Sequence, residues 1–403
     1  MKTISVDRLF HLNKEIKTTA NSIDSYDPTN EKTEKKASFT FFTESVSIRY
    51  QDGIFDTDTG IIDDQFITNL ISSTNLAKLD ETIQDLQEHK RKLNLPDWLF
   101  YLMLRDCAEV IYNEENENVQ QVLFCWLILG RLDYKVQLNL VEDKAFITVF
   151  TLQKVYDLPL KKYGVGWLVE ITGSADKKFQ ESFKASMRAN HFMHTGSRIF
   201  SFKLDKLPHL PSRQLKDKEV FFKHDNKSYT INYTINETMV RMVDTYPDMK
   251  ISNYLNFPLS VESYGSLIPT LRDMMEGKTK QEKLRFLLSF TRLAFQYGKD
   301  EDHYERINVI FSPEQTLLHD YSDCEDKSVL FSYLVKELID LEVILLQFDN
   351  HLSVAVRLKK YVGKPVIYNK QPYTFCDPTG PSNDLKIGEY PPDLIEATYS
   401  VIE

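Results

Sequence analysis

The chain has 403 residues, a formal net charge of -10, and 42% hydrophobic and 12% aromatic residues, which is enough apolar material for two or three packed cores and too much for a disordered chain. The acidic balance offers no uniform positive field for phosphates, so neither nucleic acid nor an anionic membrane is expected as a partner. Charges interrupt the N-terminus, Met1-Lys2-Thr3-Ile4-Ser5-Val6-Asp7-Arg8, and the best apolar run, 122–132, is short and contains Arg131; with no signal-peptide core and no bilayer-spanning stretch, a cytoplasmic location is expected.

In chain order, residues 1–37 read as a polar arm ending in Asn30-Glu31-Lys32-Thr33-Glu34-Lys35-Lys36. Residues 38–172 read as an N-terminal α+β domain. Alternation around Phe39, Phe41, Val46 and Ile48 predicts a hairpin over 38–50, and apolar spacing predicts helices over 64–73, 76–93 and 96–112. The last of these opens on a proline suited to a first helical turn. Cys107 and Cys125 lie in helix-like apolar runs and are expected to be small buried hydrophobes; the four cysteines contain no CxxC pair and are too sparse for a disulfide framework.

Residues 173–262 read as a β-rich connecting region, with short alternating runs at 199–202, 219–222 and 229–235. Two amphipathic helices, over 267–275 and 281–295, then open a C-terminal domain spanning 263–403.

An internal echo links the two halves. Val122-Leu123-Phe124, the segment 133–138 and the segment 145–149 parallel Val329-Leu330-Phe331, the segment 340–345 and the segment 352–356; both halves read helix, strand, strand. In this ungapped register Cys324 falls opposite Glu117 and His351 opposite Lys144, so the first copy lacks the reactive pair. Shared ancestry, which makes the N-terminal domain a degenerate repeat, and chance likeness of two helix-plus-hairpin units both account for the echo.

The chemistry concentrates near the C-terminus. Ser322-Asp323-Cys324-Glu325 precedes the helical run Val329, Leu330, Tyr333, Leu334 and Leu338, and Ser-x-x-Glu at such a junction predicts a capping box with Cys324 in the first helical turn. Unpaired N–H groups and the helix dipole there favour a thiolate, although Asp323, Glu325 and Asp326 oppose it, so a histidine partner is needed. Val343-Ile344-Leu345-Leu346-Gln347-Phe348 predicts a buried strand and Asp349-Asn350 a tight turn. His351 then enters an alternating strand, with small Ser353 and Ala355 expected to leave open room on its face. A third strand, Tyr373-Thr374-Phe375-Cys376, delivers Asp377 before Pro378, where a carboxylate can orient a histidine. Alternation turns Cys376 to the opposite face as a packing residue. Gln315 and Tyr321 are candidate oxyanion or substrate-binding donors beside the Cys324 N–H. His303 and His319 read as solvated loop histidines. The Asp323, Glu325, Asp326 cluster has no spaced partner set for a metal, and no cofactor motif is present.

These residues resemble the transglutaminase-like superfamily, papain-like in architecture, in its bacterial form. The resemblance rests on Ser322-Asp323-Cys324-Glu325-Asp326-Lys327, on His351-Leu352-Ser353-Val354-Ala355-Val356 and on Cys376-Asp377-Pro378-Thr379, with the reactive residues about 27 and 26 positions apart. The stretch 297–311 is similar to the loop before the nucleophile, so the likeness spans about 265–395. It departs in Ser322, where many members carry Gly, and in Leu352, where an aromatic often follows the histidine. The resemblance implies an α+β fold with a papain-like catalytic core. It implies a Cys324 nucleophile, His351 as general base and acid, and Asp377 orienting it, acting on a protein or peptide substrate as a cysteine peptidase or amidase. An amine-transferring cross-linker and a catalytically silent interaction module of the same fold stay open.

Overall fold

The computed structural model describes residues 34–53, 77–113, 118–141, 144–173, 191–210, 213–299, 302, 309–379 and 385–402. The chain is α+β and forms two compact units, Met1–Ser212 with Asp244–Met249 and Arg213–Val243 with Lys250–Glu403. The helix expected over 64–73, Glu117 and His303 lie outside the described residues.

In the first unit, β1 (Glu34–Phe41) pairs antiparallel with β2 (Glu44–Gln51), Ala37 opposite Ile48 and Phe39 opposite Val46. The strand begins inside the segment read as a polar arm, because Glu34, Lys35 and Lys36 find ladder partners in Gln51, Tyr50 and Arg49. Three helices follow: α1 (Asp80–Lys92), α2 (Asp97–Ile111) and α3 (Asn118–Arg131). Pro96 is the N-cap of α2 rather than its first residue, and its carbonyl accepts from the Phe100 N–H at 2.9 Å. Cys107 and Cys125 are buried, and burial pushes both thiols up, Cys125 to about 12, so they are inert packing groups.

The helices lead into an antiparallel sheet of β3 (Lys135–Val141), β4 (Lys144–Thr151), β5 (Leu160–Tyr163), β6 (Gly166–Glu170) and β7 (His191–Thr195), in spatial order β5-β6-β4-β3-β7. The strand expected over 199–202 is absent. Phe200 instead makes an isolated bridge to Thr151 and is fully buried, so burial without a continuous ladder produced its strand-like pattern.

The second unit opens with the hairpin β8 (Leu215–His224) and β9 (Lys227–Asn236). The region 173–262, read as one connector, is thus divided between the units. Helices α4 (Glu237–Val243), α5 (Ile251–Tyr254), α6 (Val261–Met274) and α7 (Lys280–Leu293) follow. Helix α6 starts earlier than its apolar spacing predicts, because Ser260 caps it from outside while Gly265 and Pro269 hide its first turns. Next come β10 (Gln296–Tyr297), α8 (Pro313–Leu318), β11 (Tyr321–Ser322) and α9 (Cys324–Ile339). Val329, Leu330, Leu334 and Val335 on α9 are fully buried.

A second antiparallel sheet completes this unit: β12 (Val343–Gln347), β13 (Leu352–Val356), β14 (Val366–Tyr368), β15 (Gln371–Cys376) and β16 (Ser400–Ile402), in order β14-β15-β13-β12-β16. Counted along the chain within each sheet, both orders read third, fourth, second, first, fifth. The first hairpins also share a register: Leu138 pairs with Ile147 as Leu345 pairs with Val354, and these are the residues the sequence echo aligns. Thr148 faces Glu170 as Ala355 faces Phe375, which sets Thr172 at the position of Asp377. The first unit therefore repeats the topology of the second without its Cys, His and Asp.

Candidate active site

The site begins with the cap of α9. Asp323, not Ser322, is the N-cap: its Oδ1 accepts from the N–H groups of Glu325 at 2.8 Å and Asp326 at 3.3 Å, while Asp326 Oδ2 accepts from the Asp323 N–H at 3.1 Å. The capping box is real but displaced by one residue from the Ser322–Glu325 reading. A carboxylate that satisfies two helix donors displaces a hydroxyl from that role, and Ser322 is instead held in β11 with its Oγ buried and unpartnered. Cys324 becomes the first helical residue. Asp326 also accepts from the Phe311 N–H at 2.8 Å, tying the helix start to the segment before α8.

Cys324 is half-buried. The backbone N–H of Leu352 lies close enough to its sulfur to act on the thiol. Burial first, and the Asp323 carboxylate second, push its thiol up to about 12, while the Leu352 N–H pulls the other way. The thiolate expected from the helix terminus is therefore not the resting form: loss of water and three flanking carboxylates outweigh the helix dipole. One turn later Ser328 Oγ donates to the Leu352 carbonyl at 3.3 Å, tying α9 to this strand residue.

His351 closes the β12–β13 turn, with its carbonyl accepting from the Phe348 N–H at 2.9 Å. Its Nε2 lies 3.5 Å from Asp377 Oδ1 and 3.5 Å from Thr379 Oγ1. With Nε2 turned to the carboxylate, Nδ1 is the nitrogen left to exchange a proton. Asp377 is buried at the end of β15. Burial alone would raise its carboxyl, but hydrogen bonds from His351 and Thr379 outweigh it and hold the group below the ordinary carboxylate range. Thr379 supplies both its N–H, at 3.0 Å, and its Oγ1, at 2.5 Å, to the same oxygen. Strand registry brings His351 and Asp377 together: Val354 is opposite Cys376, and Ser353 Oγ donates to the Cys376 carbonyl at 3.1 Å.

The room expected around Ser353 and Ala355 does not exist. Both are fully buried, and Ala355 packs with Ile344, Leu346, Phe348, Tyr373 and Phe375. Cys376 is fully buried with its thiol pushed up, as its packing role predicts. Gln315 is spent on the α8 cap, where its Oε1 accepts from the Ser312 N–H at 2.8 Å. Tyr321 sits in β11 and lines a cavity beside the site. His319, expected in solvent, stacks on Phe311 with ring centroids 4.6 Å apart.

Three residues of the site were not assigned from sequence. Tyr297 pairs in parallel with Ser322, two residues before Cys324, and burial followed by the nearby Asp323 and Asp377 carboxylates raises its phenol. Arg292 sends its guanidinium to the carbonyls of Asp377 and Leu385, the latter at 3.0 Å. Lys327 is fully buried and donates to the carbonyls of Arg292 at 3.2 Å and Phe295 at 2.8 Å; burial and the Arg292 charge lower it to about 8. A lysine and an arginine inside an amphipathic helical pattern were the available signal, since such groups are buried only when each donor is used.

Together these elements bring a thiol, an imidazole and a carboxylate to one end of a sheet, on a helix start, a turn and a strand end. Among the described residues no helix is long and apolar enough to cross a membrane. Comparison of the chain with protein-family models, curated proteins and solved structures finds no match in any of the three.

Proposed function

We propose that this protein is a thiol acyl-transfer enzyme of the transglutaminase-like kind that hydrolyses a peptide or related amide bond. The observation that carries this reading is the junction at His351 and Leu352. The helix that Cys324 opens is tied to Leu352 by the Ser328 hydrogen bond at 3.3 Å, and the neighbouring His351 ring is oriented by Asp377 at 3.5 Å.

In this scheme the Cys324 proton passes to His351 Nδ1 as sulfur attacks the amide carbon. Because the thiol rests protonated, transfer accompanies attack rather than preceding it. The Cys324 N–H and the Tyr297 hydroxyl are the donors offered to the carbonyl oxygen as it becomes an oxyanion. The C–N bond then breaks, the imidazolium returns the proton to the leaving amine, and a thioester remains. Water, deprotonated by His351, cleaves it to acid and free thiol. Asp377 stabilises the imidazolium at both stages.

One observation favours a second reading, a silent interaction module: burial and the Asp323 carboxylate push the thiol up to about 12, so it rests protonated. Acylation by an activated peptide ester, followed by intact mass, separates the two. The enzyme reading expects a transient adduct that is lost in Cys324→Ala and forms at least 100-fold more slowly in His351→Ala. Equal slow acylation of wild type and His351→Ala selects the silent module.

A further inference from the structure

A cavity of about 510 Å³ within the second unit is bounded by Tyr297 and Tyr321, from the paired short strands β10 and β11. Val220, Phe221, Leu293, Phe295, Tyr297 and Tyr321 supply its apolar lining. Its size is in the range that holds a substrate group rather than a few waters.

Three of those residues leave large apolar surfaces uncovered: Phe221 is 63%, Leu293 46% and Tyr297 38% exposed. A single exposed aromatic is ordinary, but three converging on one cavity leave a patch without a covering group. On β8, alternation explains the position of Phe221, since Val220 and Phe222 point into the core and Phe221 must point out.

The strongest charges around the cavity are already engaged. Lys218 Nζ bonds Asp320 Oδ1 at 2.7 Å, and the Arg292 guanidinium is directed to the Asp377 and Leu385 carbonyls. A carboxylate entering the cavity would lose water while Lys218 and Arg292 are already engaged, and a lysine would meet only the exposed, water-screened Glu219 and Asp320, whereas an apolar side chain would cover exposed ring and aliphatic surface. Tyr297 and Tyr321 form walls of the cavity, and Tyr297 pairs with Ser322, two residues before Cys324, so the cavity lies beside the helix start that carries the thiol.

We propose that this cavity is a specificity subsite that takes an aromatic or branched aliphatic side chain of a peptide substrate, at a position flanking the bond attacked by Cys324. The assignment rests on the acyl-transfer reading for its role, but not for its occupancy.

The test uses the full chain and fluorescein-labelled peptides that differ at one position, with Phe, Leu, Ala, Asp or Lys. Binding is measured to Cys324→Ala by polarisation, and hydrolysis of the same peptides by the wild type. The Phe and Leu peptides are expected to bind at least about tenfold more tightly than the Ala, Asp and Lys peptides. Phe221→Ala and Leu293→Ser, both at exposed positions, are expected to collapse that ratio, and circular dichroism checks that each remains folded. Preference in binding that depends on Phe221, without hydrolysis by wild type, keeps the subsite and removes the enzyme reading. Hydrolysis with no side-chain preference, or a preference indifferent to both substitutions, overturns the subsite and leaves the enzyme reading standing. Absence of binding by every peptide overturns the subsite as well.

Discussion

Ser328 Oγ donates to the Leu352 carbonyl at 3.3 Å, one turn after Cys324 opens the same helix. A single hydrogen bond thereby ties α9 to the strand residue that follows His351. Because His351 precedes Leu352, this bond sets the spacing between the start of α9 and the imidazole. Ser328→Ala is expected to cost about 1 kcal/mol of stability by urea denaturation. It should lower the acylation rate of Cys324 by more than the unfolded fraction explains, because the helix start then drifts relative to the ring.

Removing the Asp323 charge should activate the thiol. Asp323 raises the Cys324 thiol while capping α9, and asparagine caps helices as well as aspartate does. Asp323→Asn removes a negative neighbour, so the thiol pKa falls and more thiolate is present at a given pH. Iodoacetamide labelling of Cys324 at pH 8, read by peptide mass spectrometry, should accelerate several-fold. In the wild type, labelling should be slow at pH 6 and still rising at pH 9. A labelling plateau below pH 7 in the wild type would contradict the protonated resting state.

Asp377→Asn tests the orienting carboxylate with little structural cost, since an amide oxygen can still accept from the Thr379 N–H and Oγ1. Stability should change little. Turnover should fall on the order of 10³- to 10⁴-fold, because the amide no longer stabilises the imidazolium and can favour the wrong tautomer. A loss below tenfold in peptide hydrolysis would remove Asp377 from the mechanism.

Acid should loosen the β8–β9 hairpin through His224. Its Nδ1 lies 2.9 Å from Ser289 Oγ on α7, its Nε2 is 3.3 Å from Asp225 Oδ2, and Phe286 packs edge-on against the ring. Burial lowers its pKa; Asp225 opposes this, and Arg285 and Lys278 reinforce it. The unfolded chain therefore binds this proton more readily than the folded one. The stability contributed by neutral His224 is complete above the unfolded value near 6.5 and is lost as pH falls below it. Urea midpoints measured at pH 7.5 and pH 5 should show a smaller acid loss in His224→Phe than in wild type.

Much of the site was legible because each reactive residue stands at an element boundary with a local signature. An acidic, cap-forming tetrapeptide marks the start of α9, Asp349-Asn350 marks the turn before His351, and Pro378 marks the end of β15. The sheet's other strands were less legible: β14 and β16 are three residues each, too short for alternation to declare itself. Helix α9 and the first hairpin of each five-stranded sheet, β3–β4 and β12–β13, were read correctly enough to align the two halves. The equality of strand order could not be read, since order is fixed by pairing between distant residues.

The sequence by itself determined which residues could do chemistry and which local elements carry them, because caps, turns and apolar periods act over a few neighbours. Tertiary structure alone decided their protonation and their supports. The thiol rests protonated because folding removes water around Cys324 and sets Asp323 beside it. Tyr297, Arg292 and Lys327 join the site because parallel pairing and buried hydrogen bonds bring them there. Desolvation and long-range contact depend on what surrounds a residue in space, and no window of consecutive residues contains that information.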